Sequence, residues 1–210
     1  MRNTMRIVAL IFTTWAGTGC ALQAQHVAPA TREACAAAAQ KAAAEPQSDD
    51  FRWAFTFGGL PRCGDTGAVA IAGALRRSGA IADAGLLNNL VVQASSSRHP
   101  AILQAALDLA ADRTAPAPVR VAGMQVALLQ HDNRVALMGS LTELSTTTMG
   151  VFCEYDYLLH AHYASARPLP AGHRERIVSV MREIAADASE PQPLRDLAGC
   201  VARKVSETRR

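Results

Sequence analysis

"LAADRTAPAPVR", Leu109–Arg120, returns 75 positions on, from 109 to 184, as "IAADASEPQPLR", Ile184–Arg195. The match continues outside the phrase: Ile102 falls on Ile177, Asp108 on Glu183, Asp112 on Asp187, Pro116 on Pro191, Pro118 on Pro193, Arg120 on Arg195 and Val126 on Val201. Alanine matches carry little weight in so alanine-rich a chain, whereas an aspartate, two prolines and an arginine in one register do. An offset of 75 divides into two units of about 37 or 38 residues, the length of helix, turn, helix and linker.

The segments around the phrase have helical periodicity. "AVAIAGALRRSG", "IADAGLLNNLVVQASSS", "PAILQAALDLAAD" and "PAPVRVAGMQVALLQ" follow one another after Gly67 with short breaks. Val119, Ala122, Val126 and Gln130 lie on one stripe, and Leu194, Leu197, Ala198, Val201 and Val205 on another, so each helix has a face to bury. Prolines 100, 116, 118, 191 and 193 fall at expected helix starts, where the missing N–H is no loss. Upstream, "ATREACAAAAQKAAA" predicts a helix with Thr31 as N-cap, broken by "EPQSDD". "DDFRWAFTFGGL" fits either a strand or a short amphipathic helix.

With these features the chain resembles the HEAT-like repeat family, whose units pair two helices across an aspartate-containing turn and often open the second helix with proline, valine and arginine. The resemblance spans residues 64 to 207. It is carried by the units at 99 to 130 and 173 to 206, is weaker at 64 to 95, and lapses at 134 to 166, where "STTTMG" replaces the motif. It implies an all-α fold, an α-solenoid of about four helix pairs with extra N-terminal helical segments over residues 25 to 63. It further implies that Asp112, Arg120, Asp187 and Arg195 tie turns and neighbouring units together, and that a concave wall binds a protein or peptide partner.

Composition and charge narrow the function. Half of the 210 residues are hydrophobic, enough for a sizeable core. Arg2 and Arg6 precede the apolar run "IVALIFTTWAG", as in a secretory signal, so residues 1 to 24 are expected to be removed and the protein exported to the periplasm or envelope. "GTGC" resembles a lipobox and would make Cys20 a lipid anchor, although Gly17 departs from its usual aliphatic residue. Cleavage after Ala24 is the alternative. Of 21 basic and 18 acidic residues, the signal removes two arginines and no acid, leaving 19 against 18. A nearly neutral mature chain gives no basic stripe for nucleic acid, and the membrane enters only through Cys20.

Four cysteines remain, Cys35, Cys63, Cys153 and Cys200. Nearness in sequence favours Cys35 with Cys63 and Cys153 with Cys200 among three possible pairings, with a buried free thiol at Cys200 as the alternative.

Little catalytic chemistry is legible. "GLPRCGDT" has the spacing of a phosphate loop, but Asp65 stands where lysine should neutralise the phosphates, so a glycine-rich turn is expected. No G-x-S-x-G, H-E-x-x-H or C-x-x-C occurs, and no cofactor is implied. The unusual stretch is "FCEYDYLLHAHYASARPLP", which gathers Tyr155, Tyr157, His160, His162 and Tyr163 either into a polar cluster packed between helices or into a candidate recognition patch. On a helix Asp156, His160 and Tyr163 would share a face. A metal-assisted hydrolase would need His173 or His131 to complete a site with Asp156 and His160. Asn88 and Asn89 could bond across a repeat interface or line the concave wall. The expectation is an exported binding scaffold, with the hydrolase and a purely structural envelope lipoprotein as alternatives.

Overall fold

The structure is a computed structural model that describes residues 31–131 and 163–207. Its described residues are predominantly helical and form eight α-helices: α1 Arg32–Ala42, α2 Asp49–Thr56, α3 Gly64–Arg76, α4 Ala84–Ser95, α5 Pro100–Ala111, α6 Ala117–His131, α7 His173–Ala186 and α8 Gln192–Glu207. Two short strands, β1 Ser97–Arg98 and β2 Ser165–Ala166, pair in parallel.

Local chemistry sets the helix starts. Thr31 Oγ1 accepts from the Ala34 amide at 3.1 Å, Ser48 Oγ from Phe51 at 3.2 Å and Asp83 Oδ1 from Leu86 at 3.0 Å, each satisfying an amide that has no partner within its helix. "DDFRWAFTFGGL" resolves to the helix α2, which buries Phe51, Ala54 and Phe55 on one side and leaves Trp53 and Phe57 in solvent. Gly67 of α3 lies against the preceding turn, where a Cβ would stand 1.9 Å from the Leu60 carbonyl oxygen, so this crossing requires glycine.

The twice-written phrase makes one turn twice. Asp112 ends α5 and accepts from the Thr114 amide and hydroxyl at 2.9 and 2.7 Å. Asp187 ends α7 and accepts from the Ser189 amide and hydroxyl at 2.9 and 2.6 Å. Eight residues after each aspartate an arginine reaches back: Arg120 Nε donates to the Ala110 carbonyl at 3.0 Å and Arg195 Nε to Ala185 at 3.3 Å. The prolines fall in the first turns of α5, α6 and α8 or immediately before them.

Packing orders the helices. α1 touches α3 and α3 touches α5; α2 touches α4, α4 touches α6 and α6 touches α8. One buried cluster runs from Ala38 to Val205. The single stripe expected on α6 understates its burial. Val119 to Ala127 are all buried, with Leu129 and Gln130, because α4, α5 and α8 press on α6 from different sides. Gly123 lets α6 approach α5, its missing Cβ lying 2.7 Å from the Ala106 carbonyl oxygen. The α5–α6 and α7–α8 hairpins are direct neighbours, and of the unit expected at 134 to 166, residues 134 to 162 lie outside the described residues. What joins them is Glu190, which has no acidic counterpart in the first phrase, where Ala115 occupies its place.

Candidate functional site

Two features outside the core have the polarity or shape of a site. The first lies where the linkers before α5 and α7 run side by side, with Ser97 paired to Ser165 and Arg98 to Ala166. Gln130, fully buried on α6, holds this junction. Its Nε2 donates to the carbonyls of Ala94 and Ser97 at 2.8 and 2.7 Å, and its Oε1 accepts from the His99 amide at 2.9 Å. Ser97 Oγ lies 3.3 Å from the Pro61 carbonyl, to which it donates, and 3.1 Å from Ser165 Oγ. Asp65 at the start of α3 accepts from Arg167 Nε and Nη2 at 2.8 and 2.5 Å and faces His99 Nε2 at 3.6 Å. The Arg167 guanidinium holds the Asp65 carboxyl below the ordinary carboxylate range, with His99 adding to the effect.

Serine, histidine and aspartate thus meet, but their connections are those of a clasp. His99 Nδ1 accepts from the Ala101 amide at 3.1 Å, which places the neutral ring's proton on Nε2, towards Asp65. No ring nitrogen is left to take a proton from Ser97, whose hydroxyl bonds the Pro61 carbonyl and Ser165 instead. Asp65, which cancels the phosphate-loop reading of "GLPRCGDT", therefore anchors the linker through Arg167.

The hydrolase alternative would need one of the two histidines next to this junction to complete a metal site. His131 Nδ1 and His173 Nε2 stand 3.4 Å apart, joining the end of α6 to the start of α7. Among the described residues no group of three or more His, Cys, Asp or Glu could hold a metal ion, and Asp156 and His160 lie outside them. Of the candidate recognition patch, Tyr155, Tyr157, His160 and His162 also lie outside the described residues. Tyr163 is half-buried and donates its hydroxyl to the Leu129 carbonyl at 2.6 Å, a bond that ties the chain entering β2 to α6. Asn88 and Asn89 are half-buried on α4.

Cys35 and Cys63 form a disulfide that joins α1 to the turn before α3. Cys200 is disulfide-bonded as well, and its partner lies outside the described residues, as do Cys153 and Cys20. Among the described residues no helix is long and apolar enough to cross a membrane.

The second feature is an open groove of about 830 Å³ between α1 and α3. Its floor is made by Ala39 of α1, by Ala43 just after that helix, and by Val69, Ala70 and Gly73 of α3. Val69 is 60% exposed, and a Cβ on Gly73 would meet nothing within 4 Å. Asp65 and Thr66 stand at one end, Arg76 and Arg77 at the other. Arg77 is committed to structure, its Nη1 and Nη2 donating to the carbonyls of Ala43 and Ala42 at 2.7 Å each, where α1 ends. Arg76 is half exposed and comes no nearer than 4.0 Å to Asp108. The groove therefore offers apolar surface flanked by a cation, a combination suited to a short extended segment with an acidic group. Its sequence signal was the run of small residues in "AVAIAG" facing those of "ACAAAAQKAAA", which alone do not say which of two alanine faces stays open.

No protein-family model, no curated protein and no solved structure matches the chain.

Proposed function

We propose that this protein is an exported scaffold of HEAT-like helix pairs that binds a protein or peptide partner in the cell envelope, and that a segment of the partner lies in the groove between α1 and α3. The groove carries the proposal: it combines an apolar floor with a solvent-exposed Val69, an open position at Gly73 and the half-exposed Arg76 at one end. Exposed apolar surface of this kind, rimmed by charge, favours recognition over catalysis. The order of contacts, α1 to α3 to α5 and α2 to α4 to α6 to α8, supports a solenoid of stacked pairs. Export rests on the apolar N-terminal run, and the two disulfide-bonded cysteine sites suit an oxidising compartment.

A photoreactive amino acid at Val69 of the full chain, expressed in its native host, tests this. A discrete crosslinked partner is expected, together with its loss when Gly73→Trp fills the groove. The same probe at Arg203, on the far end of the molecule, should not capture that partner. Capture that survives groove filling, or that is equal from Arg203, would remove the groove as the site.

A further inference from the structure

We infer, resting on the reading of the α1–α3 groove as the binding site, that its occupant is an extended segment of a partner with a defined side-chain pattern. Two apolar side chains stand at alternate positions, and an aspartate or glutamate two positions further on places its carboxylate on Arg76.

Spacing along α3 sets the pattern. Val69, Gly73 and Arg76 line the groove in succession on this helix. Four helical residues rise about 6 Å, and alternate residues of an extended chain stand about 6.6 Å apart. A segment lying along α3 therefore brings one side chain to Val69 and the next on the same face to Gly73. Val69 offers apolar surface, and Gly73 leaves room, since a Cβ there would meet nothing within 4 Å. The third side chain on that face arrives about 13 Å from the first, against a rise of about 10.5 Å from Val69 to Arg76. The long arginine side chain covers the difference.

Charge decides what the third side chain is. At the far end of the groove Asp65 is already neutralised by Arg167. Just after α3, Arg77 commits both terminal nitrogens to the Ala42 and Ala43 carbonyls and so offsets the negative end of α1. Arg76 is the cation left over. Half of its side-chain surface is exposed, and Asp108, the acid it approaches, lies 4.0 Å away and also accepts from Gln104 Nε2. A carboxylate arriving here gains a charge-assisted bond that a neutral side chain lacks, and a lysine or arginine would meet like charge.

The test titrates the isotope-labelled full chain with two blocked peptides, Ser-Val-Ser-Val-Ser-Glu-Ser and its reversal, Ser-Glu-Ser-Val-Ser-Val-Ser, which covers both chain directions. The readouts are the backbone amides of Val69 and Gly73 and the side-chain Nε–H of Arg76. Saturable shifts at all three are expected with at least one peptide. Glutamine in place of its glutamate should weaken binding about three- to fivefold at low salt, a difference that shrinks as ionic strength rises. Arg76→Gln, checked for an unchanged melting temperature, should bind the glutamate and glutamine peptides equally.

Equal binding of those two peptides by the unaltered chain would overturn the inference, and that comparison stands without the variant. A preference for glutamate that survives Arg76→Gln would assign the carboxylate to another cation and overturn it too. No shift at Val69 and Gly73 with either glutamate peptide also overturns it. If a partner is then still captured from Val69 and lost with Gly73→Trp, the groove remains the site and only this account of its occupant falls. Failure of peptide binding and of capture together removes both.

Discussion

Arg120 and Glu190 form a two-bond ion pair between α6 and the turn before α8, with only 5% and 7% of their side-chain surfaces exposed. It is the strongest polar link between the two hairpins that carry the repeated phrase. Removing one partner strands the other in a site that water scarcely reaches, which typically costs about 3 to 5 kcal/mol. Glu190→Ala and Arg120→Ala are therefore each expected to lower the stability by about 3 kcal/mol or more. The pair Arg120→Met with Glu190→Leu should cost less than the sum of the two alanine changes. Denaturant unfolding of the four proteins checks this. Strict additivity would mean that the two side chains act separately.

The same pair sets a pH dependence. Arg120 holds the Glu190 carboxyl below its ordinary 4.5, with Arg113 adding to the effect. Asp187 is lowered chiefly by the Ser189 hydroxyl and amide, Asp83 by Arg52 and Asp112 by the Thr114 hydroxyl. A carboxyl whose folded pKa is depressed binds fewer protons folded than unfolded. Its contribution is complete above the unfolded value and is lost as pH falls through the folded one. Melting temperature should therefore hold from neutrality to about pH 5 and fall steeply below about pH 4. Glu190→Gln should start lower and fall less steeply over that acid range. A parallel, equally steep fall would show that Glu190 does not contribute to it.

The parts of this fold legible in the sequence are those encoded within a few residues. The aspartate turns at Asp112 and Asp187 and the helix starts near Pro100, Pro116 and Pro191 can be read because their bonds are local. Of the contact between the two hairpins, the resemblance pointed to Arg120 and Asp187, which pair with Glu190 and Arg113, but not to Glu190 itself, where the first phrase has Ala115. The β1–β2 pairing involves two residues per strand, too few to show alternation. The groove was hidden because alanines on α1 look alike in sequence, and only packing decides that Ala38 and Ala42 are buried while Ala39 and Ala43 are open to the groove.

Cys35 and Cys63 are 28 positions apart and fasten the start of α1 to the turn before α3. Closing a loop of this length in the unfolded chain is worth about 3.6 kcal/mol. Replacing both cysteines by alanine should lower stability by about that amount, and on the proposed reading it should also weaken crosslinking from Val69, because α1 forms one wall of the groove. Denaturant unfolding of this variant against the parent chain, both without reductant so that the Cys200 disulfide stays closed in each, measures the first effect. An unchanged midpoint would show that the bridge adds nothing to folding.

Two helical glycines predict opposite outcomes for one substitution. Gly73 lies inside α3, where a new Cβ meets nothing within 4 Å. Alanine there restricts the unfolded backbone without a clash, so Gly73→Ala should stabilise by about 0.5 to 1 kcal/mol. Gly123 lies inside α6, where the same atom would stand 2.7 Å from the Ala106 carbonyl oxygen and 2.8 Å from the Ala110 amide nitrogen. Backbone cannot yield as a flexible side chain would, so α5 and α6 must move apart, and Gly123→Ala should destabilise by about 1 to 3 kcal/mol despite the better helix propensity. Thermal melts of the two variants test the packing of α3 and α6 together. Stabilisation by both would mean that α6 does not approach α5 this closely, and destabilisation at Gly73 would mean that the α1–α3 groove is filled by the protein itself.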